Sequence, residues 1–478
     1  MNQDHDTAMS IREKYFSGDR YRNVEGILRV VKDGLCHRCG ACIGVCPVGT
    51  FGIDDHAYPR QADKCIECNI CVRVCSGLSV DYPALGEAMF PGEYRFGSLM
   101  GVVRSASIAH AGDPAIRALG ASGGVITQLL AHWLHTGRIK GALVTVEDPA
   151  EPARGKGIIA RSVDEILASA QSRYSTAPSF SALYEIRNEP GPFAVVGLPC
   201  QIHALRRRQI MDPRWRERVP IVIGLLCHYN LPYESTKLAG EMLAPRGEKL
   251  AHVKFRQRDA RGWPHNTLEL TFTDGSKWRS PYGPAQIFNV VSRVSPLGRC
   301  LMCLDATAEF SDFSIGDPWI RNERGEWKYD EPGGWSSVLV RTALGEELLA
   351  EAETAGKLVR RAIPPEEVER GQHAMIEEKK ERVAFRLRLR RRLGLPVPSY
   401  PMPLPATPRH MARKEMAFWF TRLIPISPRL SRFFLRLGLS RFGRYFVNRR
   451  IAQRRKAAAA GKYRLSASDF GDTKEPNP

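Results

Sequence analysis

Residues 36–47 read CHRCGACIGVCP, and residues 65–76 read CIECNICVRVCS. Both follow the spacing Cys-x2-Cys-x2-Cys-x3-Cys. The second run is the first displaced by 29 residues, so that Cys36, Cys39, Cys42 and Cys46 return as Cys65, Cys68, Cys71 and Cys75. Three thiols at this spacing fit on one tight loop, and the fourth points elsewhere. Zinc sites usually join two separated cysteine pairs rather than a double run.

The spacing is that of bacterial two-cluster ferredoxins, in which the fourth cysteine of each run serves the other cluster. On that pattern Cys36, Cys39, Cys42 and Cys75 hold one 4Fe-4S cluster, and Cys65, Cys68, Cys71 and Cys46 hold the second. Pro47 follows the first run. Ser76 stands where the second run would carry its proline, which changes the turn and removes no ligand. With the thiolate count complete, His37 and His56 are expected to face solvent. Two neighbouring clusters make a wire for single electrons, and a wire needs something at its end.

The chain of 478 residues suggests two to four domains. Its first residues, MNQDHDTAMS, are polar and carry no apolar region behind them, which argues against a secretory signal. No apolar run reaches the roughly 18 residues of a membrane span. The expected compartment is therefore the cytoplasm, where cysteine clusters bind metal or do redox work. The net charge of +19 is concentrated near the C-terminus: residues 382–464 hold 22 Lys or Arg and one acid, Glu415. The rest is close to neutral, so the charge of the whole chain does not argue for nucleic-acid binding.

Between residues 95 and 360, apolar strands alternate with helical stretches. LMGVVRSASIA (99–109), IKGALVTV (139–146), FAVVGLP (193–199), VPIVIGLLC (219–227) and SSVLVRT (336–342) read as strands. GGVITQLLAHWLHTG (123–137), QIHALRRRQI (201–210) and GEELLAEAET (345–354) read as helices. VKFRQRD, LELTFTD and SKWRS (253–280) suggest antiparallel strands with a turn at Asp274–Gly275. This alternation argues for an α/β core with a β-rich insertion. No Gly-x-Gly-x-x-Gly follows a strand; the best phosphate cradle is ASGGV (121–125), small residues ahead of a long helix.

Four cysteines remain. Cys200 and Cys227 fall at the C-terminal ends of apolar strands, the edge where open α/β sheets bind ligands. Cys300 and Cys303 lie on a loop before SDFSIGD. Four thiolates suit one more cubane, a zinc ion, or, for Cys200 and Cys227, simple burial. Spacing alone leaves these readings open.

ASGGVITQLL, SRYSTAP, FAVVGLPCQIHALRR, GLLCHYN, RCLMCLDATAEFSDFSIGD and GWSSVLVRT follow one another in this order. Together they resemble the coenzyme F420 hydrogenase/dehydrogenase beta-subunit family over roughly residues 36–390. The resemblance implies a non-covalent FAD and a third 4Fe-4S cluster on Cys200, Cys227, Cys300 and Cys303. Carried over by motif, Ser122, Gly123, Gly124, Arg173, Tyr174, Ser175, Gly197, Pro199, Gln201, Asp305, Gly316 and Asp317 are the cofactor-binding residues; the family often has lysine where Arg173 stands. His228, Lys254 and Arg173 are candidates for contact with substrate or for proton donation.

The expected architecture is α+β: an N-terminal extension (1–30), a two-cluster ferredoxin-like domain (31–90), a FAD/4Fe-4S oxidoreductase core (95–375), a Pro-rich linker (396–408) and a basic, helical, amphipathic extension (409–478). Three functions fit. The first is a reductase passing electrons from a ferredoxin-type donor through FAD to an organic small molecule, in polysaccharide or other secondary biosynthesis. The second is an electron-relay subunit of a hydrogenase or dehydrogenase complex serving a deazaflavin (coenzyme F420) or nicotinamide carrier. The third is a zinc-stabilised binding protein. In the extension, Arg alternates with Phe, Leu and Trp, which suits an anionic membrane surface at the inner face of the membrane. Nucleic acid is the lesser alternative there, beside a merely solvated tail.

Overall fold

The computed structural model describes residues 21–258, 262–264, 266–279, 295–417 and 428–440, with isolated positions beyond. Most of the extension past residue 440, and residues 1–20, lie outside the described residues.

The cysteine repeat folds as two matched halves. Arg38 and Glu67, each two residues past the first cysteine of a run, share a left-handed backbone (φ 55° and 56°), and Gly40 and Asn69 repeat it two residues later (82° and 61°). The amides of Arg38 and Glu67 each donate to that first cysteine, Cys36 or Cys65, at 3.3 Å. Short helices Ala41–Gly44 and Ile70–Val74 follow. Between the halves, β1 (Phe51–Ile53) and β2 (Pro59–Gln61) pair antiparallel. Helix Asn23–Lys32 begins inside the expected N-terminal extension but folds onto this module, with the Asn23 amide donating to the Asn69 side chain at 2.8 Å.

The body is an eight-stranded mixed sheet. Its strands are β3 (Ser105–Ala111), β4 (Gly141–Asp148), β5 (Glu151–Ala160), β6 (Phe193–Gly197), β7 (Ile221–Leu225), β11 (Phe313–Gly316), β12 (Ser336–Val340) and β13 (Leu358–Ile363), in the order β13-β3-β12-β11-β7-β6-β4-β5. β4, β6, β7 and β11 run parallel. Alternate residues of these strands enter different cores: Leu143, Val195 and Val222 on one face, Val144, Ala194 and Ile223 on the other. A sheet buried on both faces reads as continuous apolar sequence, which is why these strands were legible. β8 (Leu250–Gln257), β9 (Thr267–Phe272) and β10 (Lys277–Arg279) form the expected second sheet, with Gly275 at φ +81° in its turn.

Three strands escaped the sequence reading. β5 interleaves Pro, Gly and charges, β11 has four residues, and β13 is an Arg-bearing edge. Each gains its place from its neighbours rather than from its own apolar pattern.

The cysteine module does not stand apart. One continuous core joins Val30, Leu35, Val45 and Val74 of the module to Leu143, Phe180, Val195 and Ile202 of the body. The Pro-rich stretch 396–408, expected as a spacer, is a strap instead. Ser399 bridges to Ser79, the Ser399 amide donates to the Leu78 carbonyl at 2.8 Å, and the buried Tyr400 hydroxyl donates to the Met302 carbonyl at 2.5 Å. The basic stretch also begins inside the fold. Glu415 is 2% exposed and pairs with Arg382 at 2.5 Å and Arg386 at 3.2 Å. The strap's pairing falls on Ser399, which has an amide to donate where the neighbouring prolines have none.

Candidate functional site

In the module, thiols of the two runs lie close enough to act on one another. Burial raises the Cys42 thiol well above its ordinary value, and the neighbouring Cys36, Cys39, Cys75 and Cys71 add to the rise. Burial likewise pushes Cys71 up to about 12, against the Val72 backbone, with Cys68, Cys75 and Cys46 adding. Cys75 acts on Cys36, Cys39 and Cys42 of the first run as well as on Cys71 of its own, and Cys46 acts on Cys71. Thiols this reluctant to ionise alone become thiolates when iron supplies the opposing charge. Cys65 and Cys68 lie toward the surface beside Ile66, which is 56% exposed. His56 is exposed and pairs with Glu234 at 3.0 Å. His37, expected at the surface, is buried instead, close enough to Arg299, Lys379 and His203 to feel their charges.

The remaining four cysteines meet at the carboxyl edge of the parallel strands. β6 leads directly into helix Pro199–Met211, whose second residue is Cys200, and Cys227 lies two residues past β7. Cys300 and Cys303 arrive on the short helical turn Gly298–Met302 and the residue after it. Burial first, then Cys39, Cys300, Cys227 and Cys303, raise the Cys200 thiol well above its usual range. Burial brings Cys227 to about 12, where Lys379 opposes the rise and Cys300 and Cys303 favour it. Among the described residues, no three Cys, His, Asp or Glu gather tightly enough to hold a single metal ion.

This third set adjoins the first run. The Phe180 amide donates to the Cys39 carbonyl at 3.1 Å. A Cβ on Gly44 would meet the Phe180 carbonyl oxygen at 1.9 Å, so the loops touch backbone to backbone. Gln201 caps its own helix through the Leu198 amide at 2.8 Å and donates to Ser179 at 2.7 Å. Arg299, 1% exposed and next to Cys300, donates to the Ser76 and Gly77 carbonyls, both at 2.9 Å, just past Cys75.

A single π-helical turn, Glu377–Glu381, faces the third set with buried charges. Glu378 accepts from His228 Nε2 at 3.0 Å. Lys379 Nζ donates to the Asp305 carbonyl at 3.0 Å, and Cys303 Sγ donates to the same oxygen at 3.5 Å. Burial opposes the Lys379 charge, but Cys303, Cys227, Cys300 and Asp305 outweigh it and hold the ammonium protonated. Lys380 pairs with buried Glu309. Asp305 itself is fully enclosed, bonded to His203 Nε2 at 3.0 Å and to the amides of Thr307 and Glu309 at 2.9 and 3.0 Å. The wide turn presents successive side chains to one interior, which no helical periodicity in the sequence announces. Lys379 was missed for that reason.

The SGG segment lies at the same edge. Gly123 donates to Ser336 Oγ at 3.1 Å, and a Cβ there would meet the Ala109 carbonyl oxygen at 2.5 Å. That glycine is needed for the loop to lie on β3. Gly124, at φ +74°, precedes helix Val125–His135. Around the loop stand Arg117, Arg256 and Arg258. Arg258 bonds the Ser122 carbonyl, and Arg256 pairs with Asp317. Arg256 also contacts Tyr174. Burial, with Arg256 and Arg117 beside it, lowers Arg258 to about 10. Its Nε is buried without a hydrogen-bond partner among the described residues.

Sequence reasoning chose Lys254 on this strand, yet Lys254 is exposed and Arg256 is buried. A register break between Lys254 and Gln257 turns the strand there, as a bulge does. Ser122, Gly123, Gly124, Tyr174 and Asp317 thus converge around two unforeseen arginines. Gly197, Pro199, Gln201 and Asp305 instead surround the third cysteine set. Gly316 packs on Leu226. Ser175 bonds Thr236 at 2.7 Å, and Arg173 reaches the Ala170 carbonyl at 3.4 Å. The arginines and the orphaned Nε leave the loop suited to an anionic group.

Family profiles match three stretches. The coenzyme F420 hydrogenase/dehydrogenase beta-subunit N-terminal profile covers residues 106–184, its C-terminal counterpart covers 192–366, and a 4Fe-4S dicluster domain covers 29–77. The coenzyme F420-dependent sulfite reductase of Methanocaldococcus jannaschii is 26% identical over 339 residues, which is 67% of this chain but only 46% of that protein. The coenzyme F420 hydrogenase beta subunit of Methanothermobacter thermautotrophicus is 27% identical over 314 residues, 63% of this chain and 99% of the relative. A chain of the F420-reducing NiFe hydrogenase complex from Methanosarcina barkeri aligns at TM-score 0.48 and 23% identity, over 64% of this chain and 98% of that one.

Proposed function

Because the chain belongs to the coenzyme F420 hydrogenase/dehydrogenase beta-subunit family, we propose that this oxidoreductase is an electron relay with three 4Fe-4S clusters and an FAD, exchanging electrons with a diffusible deazaflavin-type carrier. Iron–sulfur clusters carry electrons singly, and a flavin converts between one- and two-electron chemistry.

The observation that carries the proposal is the contact between the first cysteine run and the third set. Cys39 bears on Cys200, and Arg299 clamps the backbone after Cys75 to the loop of Cys300. The chain's own residues thus line up a second run whose loop carries the exposed Ile66 and Glu67, a first run, a third set at the sheet edge, and the arginine-rich SGG loop. A cluster suits the third set better than zinc does. Four thiols meeting beside the Cys39 loop match the ligand count of a cubane and lie where electrons from the first run would pass. Arg256, Arg258, Ser122 and the start of helix Val125–His135 would hold the flavin diphosphate. Tyr174 and Asp317 fix Arg256, and the Ser122 carbonyl holds Arg258.

Reduction of a dedicated substrate in polysaccharide or secondary biosynthesis gains nothing from the site. The relatives' names speak of F420 hydrogenase and F420-dependent reductase, which favours the relay reading. Anaerobic iron analysis with EPR tests it. A Cys227→Ser/Cys300→Ser variant is expected to lose one third of its iron and keep the signals of the other two clusters. Full iron in that variant, or zinc in the wild-type third site, would overturn the assignment.

A further inference from the structure

The basic C-terminal stretch does more than add charge. From Met416 to Ser468 the chain contains no Asp or Glu. Helix Pro428–Leu439 lies in this acid-free stretch and is fixed to the body. Leu435 is 1% exposed and joins the core of the second sheet with Leu231, Val253 and Phe255. Ser431 donates to Ser295 at 2.9 Å, and Ser295 also meets Ser235 on the neighbouring helix at 2.5 Å. Positions 431 and 435 therefore define the face turned to the protein.

Two further stripes run along the same helix, each spaced three and then four residues. Leu430, Phe433 and Leu437 form one, at 49, 60 and 45% exposure. Arg429, Arg432 and Arg436 form the other, one position earlier and exposed throughout. Residues so spaced share a helix face. An anchored helix thus turns an apolar stripe outward beside a cationic one. A folded domain has no reason to leave a phenylalanine and two leucines in line unless something apolar covers them. The exposed arginine stripe, in 53 residues without a carboxylate, suits an anionic occupant.

We propose that this helix docks the protein on an anionic lipid bilayer, with Phe433 and Leu437 entering the headgroup–acyl boundary and the arginines lying among the lipid phosphates. A basic amphipathic helix lying in the interface plane is the matching geometry. RNA or DNA would use the arginines and could stack a base on Phe433, but it offers nothing apolar to Leu430 and Leu437. The helix is held along the body through Ser431 and Leu435, so the contact is one of surface attachment. The inference does not depend on the cofactor assignment, since none of these side chains belongs to the cysteine sets or the SGG loop.

Flotation of the full-length holoprotein with vesicles tests it, comparing phosphatidylcholine alone with phosphatidylcholine containing roughly one third phosphatidylglycerol. The protein is expected to float with the anionic vesicles at low salt, to be released at high salt, and to stay behind with the neutral ones. Each arginine near an anionic surface contributes roughly a fivefold gain in partitioning. The Arg429→Gln/Arg432→Gln/Arg436→Gln variant should therefore bind about a hundredfold more weakly. Phe433→Ser/Leu437→Ser keeps the charge and should also weaken binding. Iron content unchanged from wild type verifies that both variants are folded. Flotation equal with neutral vesicles, wild-type binding by either variant, or binding of an RNA oligonucleotide with no vesicle flotation would each overturn the proposal.

Discussion

Replacing Lys379 with Met removes a buried positive charge beside the third cysteine set while keeping the length of the side chain. Lys379 Nζ and Cys303 Sγ donate to one carbonyl oxygen, that of Asp305, at 3.0 and 3.5 Å. The ammonium therefore lies on the order of 6 Å from the sulfur, where a unit charge is worth about 3 kcal/mol at an effective dielectric of about 20. For a one-electron couple that is roughly 120 mV, and spreading of the cluster charge reduces it toward about half. A reduced cluster carries one more negative charge than an oxidised one, so the lysine favours reduction. The midpoint potential of the third cluster in Lys379→Met is expected to fall by about 60–120 mV. Lys379→Arg should stay near wild type. An EPR-monitored redox titration reads all three clusters in one sample. An unchanged potential with full iron content would refute the charge argument, and an equal shift of all three would show a general disturbance instead.

Four further outcomes follow from the same contacts. Arg258→Met should weaken retention of flavin through gel filtration by roughly tenfold, the loss of one charge-assisted contact at about 1.5 kcal/mol, with iron content unchanged. Glu415→Gln leaves Arg382 and Arg386 without their shared carboxylate and should cost about 3 kcal/mol in chemical denaturation. Because one core joins the cysteine module to the sheet, iron chelation should lower the unfolding temperature of the whole body rather than release a separate domain. Arg299→Met removes the donor shared by the Ser76 and Gly77 carbonyls; limited proteolysis should then cut between the module and the body faster than in wild type.

The sequence by itself determined the covalent and local terms of this protein. The repeat in the spacing of eight cysteines dictated two matched halves, because each run closes its own tight loop whatever surrounds it. The parallel strands showed themselves because burial on both faces demands unbroken apolar runs, and Cys200 and Cys227 were legible as strand-end residues for that reason. Tertiary structure decided what depends on partners distant in sequence. It turned the Pro-rich stretch into a strap through Ser399 and Tyr400, and it drew Glu415 inside to hold two arginines. It added β5 and β13, whose own patterns are too polar to declare a strand. A break in register, invisible in composition, buried Arg256 and left Lys254 in solvent. Lys379, too, was hidden from periodicity, since a π turn follows no 3.6-residue rule; only the packing of residues 377–381 against the third cysteine set places a positive charge where an electron would arrive.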